Sequence, residues 1–210
     1  MKIKSDVFDE SEIKIVDLNK PIDKLESVHD NVMNGYDNSV LGKIRGIFCA
    51  KDSHSANGRY YSEEFWDKVL SSKIVQNRFK QSAMIGTLEH PTKSKTRSNY
   101  HEGIITAYNP IYGGLVTKGI KFDGKYGYGD AYLLNTPVGN TILAYMLAKD
   151  DEGNNLFNIR PSSRGYSMND YYVDGVDVMN PDDYDLKAWD LVFNPGVKLT
   201  TAEFEPRLKG

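Results

Sequence analysis

His90 is the residue best placed to act as a catalytic base in this sequence. It follows the apolar stretch Met84–Leu88 and is followed at once by Pro91, whose ring restrains the backbone beside it. A general base needs such a restrained imidazole, because its proton-accepting nitrogen must stay aimed at the nucleophile.

The adjacent serines Ser162 and Ser163 are the candidate nucleophiles. A serine hydroxyl attacks a carbonyl when a base takes its proton, and hydrogen-bond donors must then stabilise the oxyanion that forms. Arg164 and Gly165 follow directly, and we expect their amides and the Arg164 charge to form this oxyanion site, with Gly165 allowing a sharp turn. By spacing alone the four residues also fit an ordinary turn, and the choice between the two serines stays open.

Asp190 is the candidate for orienting His90. It lies in the apolar run Trp189–Phe193, where a buried carboxylate would need a polar partner. The alternation of Trp189 and Leu191 around it also fits an aspartate on the solvent face of an edge strand, and this alternative stays open.

The elements that must position these residues are mainly strands. Runs rich in β-branched and aromatic residues predict strands at 44–50, 84–88, 103–108, 114–120, 126–133, 162–166 and 189–193. Helices are predicted from Ser62, a candidate N-cap, towards Phe79 with a break allowed, and from Thr136-Pro137 to a point before Asp150. The pattern predicts an α+β fold with a β-barrel-like mixed sheet and peripheral helices.

Several short motifs occur in a characteristic order along residues 40–197. They are Gly46-Ile47-Phe48, Asn57-Gly58-Arg59-Tyr60-Tyr61, GTLEHP at 86–91, SSRG at 162–165 and DLVFNP at 190–195. Together they resemble the prohead core proteases of tailed bacteriophages, the T-even type in particular. The resemblance implies a herpesvirus assembly-protease-like fold and a serine endopeptidase that needs no metal or cofactor.

The resemblance also implies roles for single residues. They are His90 as general base, Ser162 as nucleophile with Ser163 as the fallback, Asp190 as the orienting acid, and Arg164 and Gly165 as the oxyanion site. Such an enzyme would process scaffold protein, major capsid protein and its own termini inside the prohead, in the host cytoplasm, with cuts after glutamate. Glu203 and Glu205 then suggest a self-processing site near the C-terminus.

Pro161, directly before Ser162, departs from the family pattern, in which a small apolar residue is usual. Proline removes a backbone donor and fixes φ. This departure favours an alternative, a catalytically inactive capsid-associated or scaffold-like protein that retains the protease fold. A third hypothesis is an unrelated β-rich binding module.

The length of 210 residues suits one protease domain, 39–199, between an N-terminal arm, 1–38, and a C-terminal tail, 200–210. The net charge of −3, without a long basic stripe, gives no reason to expect a nucleic-acid partner. A single cysteine, Cys49, excludes an internal disulfide and fits a reducing compartment. We expect no signal peptide and no membrane span, and the sequence leaves homo-oligomerisation open.

Overall fold

The computed structural model describes residues 39–91, 113–167 and 169–207, which belong to the compact unit Asn38–Gly210. The predicted N-terminal arm, 1–38, and the predicted strand at 103–108 lie outside these residues. Within the described ranges, every helix is too short or too polar to cross a membrane.

The described elements follow one another in an order dominated by strands. The strands are β1 (Val40–Ala50), β2 (Ser53–His54), β3 (Arg59–Tyr61), β4 (Ile85–Gly86), β5 (Leu115–Asp123), β6 (Tyr126–Leu134), β7 (Arg160–Tyr166), β8 (Tyr171–Val173), β9 (Val176–Val178), β10 (Asp185–Val192) and β11 (Glu203–Pro206). The helices are α1 (Phe65–Ser71), α2 (Lys73–Lys80) and α3 (Pro137–Leu147). The predicted α+β class is confirmed.

The strands form three sheets. The largest has the order β11-β1-β6-β5-β4, β10 pairs with β7, and β2-β3-β9-β8 form a smaller sheet. Residues 87–89, which continue from β4, run beside β10 in parallel. There the Leu191 N–H donates to the Thr87 carbonyl at 2.9 Å and the Glu89 N–H donates to the Leu191 carbonyl at 2.8 Å. The β7–β10 pair is thus tied to the edge of the large sheet.

The strands do not close into a barrel within the described part of the chain. β7 packs against β1 without pairing with it: β1 pairs with β6 along one edge and, at Gly42–Arg45, with β11 along the other. The prediction of a barrel-like sheet is therefore wrong in one respect: the described strands do not form a closed barrel. The segment 200–210, expected to be a tail, supplies the strand that occupies this edge.

The helices begin near the predicted positions, with one correction. Glu64 is the N-cap of α1, and Ser62 does not cap it. The allowed break is confirmed at Ser72, whose hydroxyl accepts a hydrogen bond from the Val75 N–H at 3.3 Å and caps α2. α3 begins at Pro137 as predicted, and the Thr136 hydroxyl caps it by accepting a hydrogen bond from the Gly139 N–H at 3.0 Å.

A buried aromatic cluster holds β10 in place. Trp189 is fully buried, its indole N–H donates to the Phe48 carbonyl at 3.1 Å, and its ring stacks on Phe79 of α2. Trp66 of α1 is equally buried, and its indole N–H donates to the Ala50 carbonyl at 3.1 Å. Both indole donors are thus satisfied by carbonyls of β1, and the Trp189 bond ties β10 to β1 while the Trp66 bond ties α1 to it.

We expect Gly86→Ala to destabilise the protein, because β4 and β10 approach each other too closely for a side chain. A Cβ at Gly86 would lie 1.9 Å from the Trp189 carbonyl oxygen. Urea unfolding should show a loss on the order of 3 kcal/mol. Gly119→Ala in β5 is the control: a Cβ there meets no atom within 4 Å, so a change within about 0.5 kcal/mol is expected. Equal losses in the two variants would contradict the close-approach explanation.

Candidate active site

The candidate site is built around Asp190 in the middle of β10. On one side Asp190 pairs in register with Ser162 of β7, and on the other side residues 87–89 run beside the strand. The Asp190 side chain has 0% of its surface exposed. The alternative that it faces solvent from an edge strand is therefore wrong.

Both oxygens of the buried Asp190 carboxylate are hydrogen-bonded. Oδ1 accepts from the Thr87 N–H at 3.0 Å and from Arg164 Nη2 at 3.3 Å. Oδ2 accepts from Arg164 Nε at 2.7 Å and from His90 Nδ1 at 2.7 Å. Arg164 is itself buried, and its Nη2 also donates to the Ile85 carbonyl at 3.1 Å. A carboxylate can be buried as an anion when an opposite charge pairs with it and its oxygens are hydrogen-bonded, and Asp190 meets both conditions.

His90 connects the carboxylate to a serine. A carboxylate can only accept, so His90 Nδ1 is the donor in the bond to Asp190, and in a neutral imidazole Nε2 is then the acceptor. Nε2 lies 3.0 Å from Ser162 Oγ. The backbone of Glu89, one residue earlier, has a φ of 58°, a left-handed conformation that costs about 1 kcal/mol in a non-glycine residue. The Glu89 carboxylate accepts from the Phe193 N–H at 2.8 Å, which helps to hold this turn.

The two adjacent serines face different surroundings, because side chains alternate along β7. Ser162 faces His90, whereas the Ser163 hydroxyl hydrogen-bonds with the buried phenols of Tyr61 and Tyr184. Burial raises the pKa of both phenols, and the hydrogen bond with Ser163 partly offsets that rise. Of the two serines, the structure brings Ser162 to the imidazole.

Pro161 fits the ladder between β7 and β10. It lies opposite Leu191, whose N–H and carbonyl both point away from β7 to Thr87 and Glu89. In an antiparallel pair this is a position without ladder hydrogen bonds, so the missing N–H of proline leaves no partner unsatisfied.

Arg164 and Gly165 differ in two ways from their expected setting. Both lie inside β7, so the interpretation of this segment as a turn is wrong. The Arg164 guanidinium is bound to Asp190, so its charge does not face the space beside Ser162. Gly165 is needed for packing, because a Cβ there would lie 2.7 Å from the Tyr184 ring. An oxyanion role for the two backbone amides stays a prediction.

A cavity of about 500 Å³ opens beside Ser162 and His90. Its wall includes residues of the Asn57–Tyr61 segment and of the turn at 194–197. Arg59 and Tyr61 are not among the site residues expected from the sequence. Their occurrence in one of the ordered motifs was the only signal in the sequence.

No protein-family model and no curated protein sequence matches the chain. A solved structure similar to it is that of the bacteriophage T4 capsid assembly protease, gp21, with a TM-score of 0.48 and 21% identity. The similarity covers 73% of this chain and 84% of that one. A structural similarity with this TM-score and identity assigns no reaction to the chain.

We expect Arg164→Met to destabilise the protein strongly, because it leaves the buried Asp190 charge without its arginine. Urea unfolding should show a loss of about 3–5 kcal/mol, typical of breaking a buried ion pair on one side. Lys68→Gln is the control, since Lys68 pairs with Glu64 on the surface of α1 and its removal should cost at most about 0.5 kcal/mol. A loss at Arg164 no larger than in the control would contradict a buried, ionised Asp190.

Proposed function

We propose that this protein is a serine endopeptidase in which Ser162 is the nucleophile, His90 the general base and Asp190 the orienting acid. One observation carries the proposal: the two nitrogens of a single imidazole lie 2.7 Å from a buried carboxylate and 3.0 Å from a serine hydroxyl. This is the arrangement that activates a serine for acyl transfer.

In the proposed reaction, Ser162 Oγ attacks the scissile carbonyl while His90 Nε2 takes the hydroxyl proton. Asp190 stabilises the resulting imidazolium and keeps Nε2 directed at the serine. His90 then gives the proton to the leaving amine, and a water molecule hydrolyses the acyl-enzyme by the same steps. The amides of Arg164 and Gly165 are the proposed donors to the oxyanion.

We further propose that the enzyme acts in phage head maturation, where it processes scaffold protein, major capsid protein and its own termini, with cuts after glutamate. The ordered motifs at 46–48, 57–61, 86–91, 162–165 and 190–195 support this role. The inactive alternative was favoured mainly by Pro161. Because Pro161 occupies a position where β7 needs no backbone donor, the site supports activity over that alternative.

A fluorophosphonate probe tests the catalytic assignment. We expect the probe to label wild-type protein at Ser162, identified by peptide mass spectrometry, because only an activated serine reacts quickly. Ser162→Ala should abolish labelling, and His90→Ala should slow it by about 10³-fold or more.

Ser163→Ala is the matched control, since Ser163 is the neighbouring hydroxyl on the other face of β7. This variant should label at a rate within about tenfold of wild type. Labelling that persists in Ser162→Ala but disappears in Ser163→Ala would reverse the assignment. Absence of labelling in folded wild-type protein would favour the inactive alternative.

Self-processing after Glu203 is proposed to require release of β11. In the structure Glu203 pairs with Arg45 in the ladder with β1, and the Glu205 carboxylate lies 2.9 Å from Arg45 Nη1. A protease binds its substrate in an extended form with free backbone groups, and here the ladder with β1 already uses the groups of β11 that face β1.

We therefore expect Phe204→Ala to accelerate C-terminal processing, because Phe204 packs against the core and helps to hold β11 on β1. Intact-mass spectrometry during prolonged incubation should show loss of residues 204–210 several-fold faster than in wild type. The double variant Phe204→Ala/Ser162→Ala should stay intact. An unchanged C-terminus in Phe204→Ala, under conditions where the protein cuts other substrates, would argue against self-processing at this site.

A further inference from the structure

The cavity beside Ser162 has an unbalanced set of charges. Arg59, Arg164 and His90 line it, and no aspartate or glutamate is among the described residues of its wall. Arg164 and His90 are both bound to Asp190, which lies behind the wall. Arg59 is therefore the cation whose charge is available to a molecule in the cavity.

Arg59 is held at a fixed place on this wall. Its N–H donates to Ser55 Oγ at 3.1 Å, and its carbonyl accepts from the Ser55 N–H at 2.8 Å, so the Asn57-Gly58 turn is closed beneath it. Among the described residues, no carboxylate forms an ion pair with its guanidinium within 4.0 Å. A partly exposed, unpaired arginine in a cleft is suited to an anionic ligand.

The charge of Arg59 acts on two buried phenols, Tyr61 and Tyr184, of which Tyr61 lines the cavity. Burial raises the pKa of Tyr61 and Tyr184, and the positive charge of Arg59 opposes that rise in both. The nearby carboxylate of Asp170 acts in the opposite direction on both phenols, but Asp170 is exposed and does not line the cavity. Arg59 and Tyr61 thus place two hydrogen-bond donors on the wall of the cavity that also holds Ser162.

We infer that Arg59 binds an acidic side chain of the substrate, that of the residue before the scissile bond, with the hydroxyl of Tyr61 as a further donor. The inference rests on the proposed endopeptidase function and names the residue that sets its preference. Arginine presents two parallel N–H groups to a carboxylate, whereas an amide side chain of the same shape offers one acceptor and no charge. The cleft therefore distinguishes glutamate from glutamine by charge.

Cleavage-site profiling tests this inference. Wild type, Arg59→Gln, Arg59→Lys and Arg160→Gln are each incubated with a peptide library made from a denatured bacterial proteome, and new termini are read by mass spectrometry. Arg160 is the matched control, because it is an arginine on the same strand as Ser162 that donates to the Lys198 carbonyl at 2.7 Å and does not line the cavity. Fluorophosphonate labelling of Ser162 in each variant reports whether the catalytic residues are intact.

We expect wild type to cut after glutamate in preference to glutamine. Arg59→Gln should lower this preference by about tenfold to hundredfold, as expected for loss of one charge-assisted hydrogen-bonded pair, while Ser162 labels at the wild-type rate. Arg59→Lys should retain part of the preference, and Arg160→Gln should retain all of it.

Two results would overturn the inference while the proposed function stands. One is a wild-type enzyme that cuts glutamate and glutamine sites equally, and the other is an Arg59→Gln variant that keeps its preference for acidic residues. Equal loss of cutting at all sites together with lost labelling in Arg59→Gln would make Arg59 a structural residue and also overturn it. A wild-type enzyme that cuts no peptide would refute the endopeptidase function itself, and the inference with it.

Discussion

Burial of the Asp190 carboxylate is the constraint on which the rest of the site depends. An ionised carboxylate without solvent exposure is tolerated only when its charge is paired and its oxygens are hydrogen-bonded. Here the pairing comes from Arg164 of β7, the Thr87 amide and His90. The Asp190 carboxylate therefore fixes β10, β7 and residues 87–90 relative to each other. Among the described residues, His90 carries the only imidazole that it contacts.

The backbone around β10 is shaped to make that arrangement possible. Gly86 lets β4 pass close to the Trp189 carbonyl, and the next three residues then run beside β10. The left-handed turn at Glu89 ends this pairing and sends His90 towards β7. Local strain of this kind is stable only where the surrounding contacts outweigh it, and the aromatic packing under Trp189 supplies such contacts.

Strand β7 combines two tasks through simple alternation. Ser162 and Arg164 face Asp190 and form the catalytic side, while Ser163 faces the buried phenols of Tyr61 and Tyr184. In the proposed enzyme, the reacting group and a residue that packs against the core are thus neighbours on a rigid strand. A rigid strand positions such groups more precisely than a loop does.

The sequence by itself determined the strand-rich α+β class, the places of β1, β4, β5, β6, β7 and β10, the start of α3 and a short set of candidates: His90, Asp190 and the serine pair. Alternation, capping residues and glycine positions are local signals, and they are readable without a structure. Only the tertiary structure decided that Asp190 is buried, that Ser162 and not Ser163 meets His90, and that β11 completes the edge of β1. Alternation shows that neighbouring serines face opposite sides, but the register of β7 against β10 decides which one meets an imidazole. His90 lies 72 residues from Ser162 and 100 residues from Asp190. Contacts across such separations are set by packing of the whole sheet, so no local pattern encodes them.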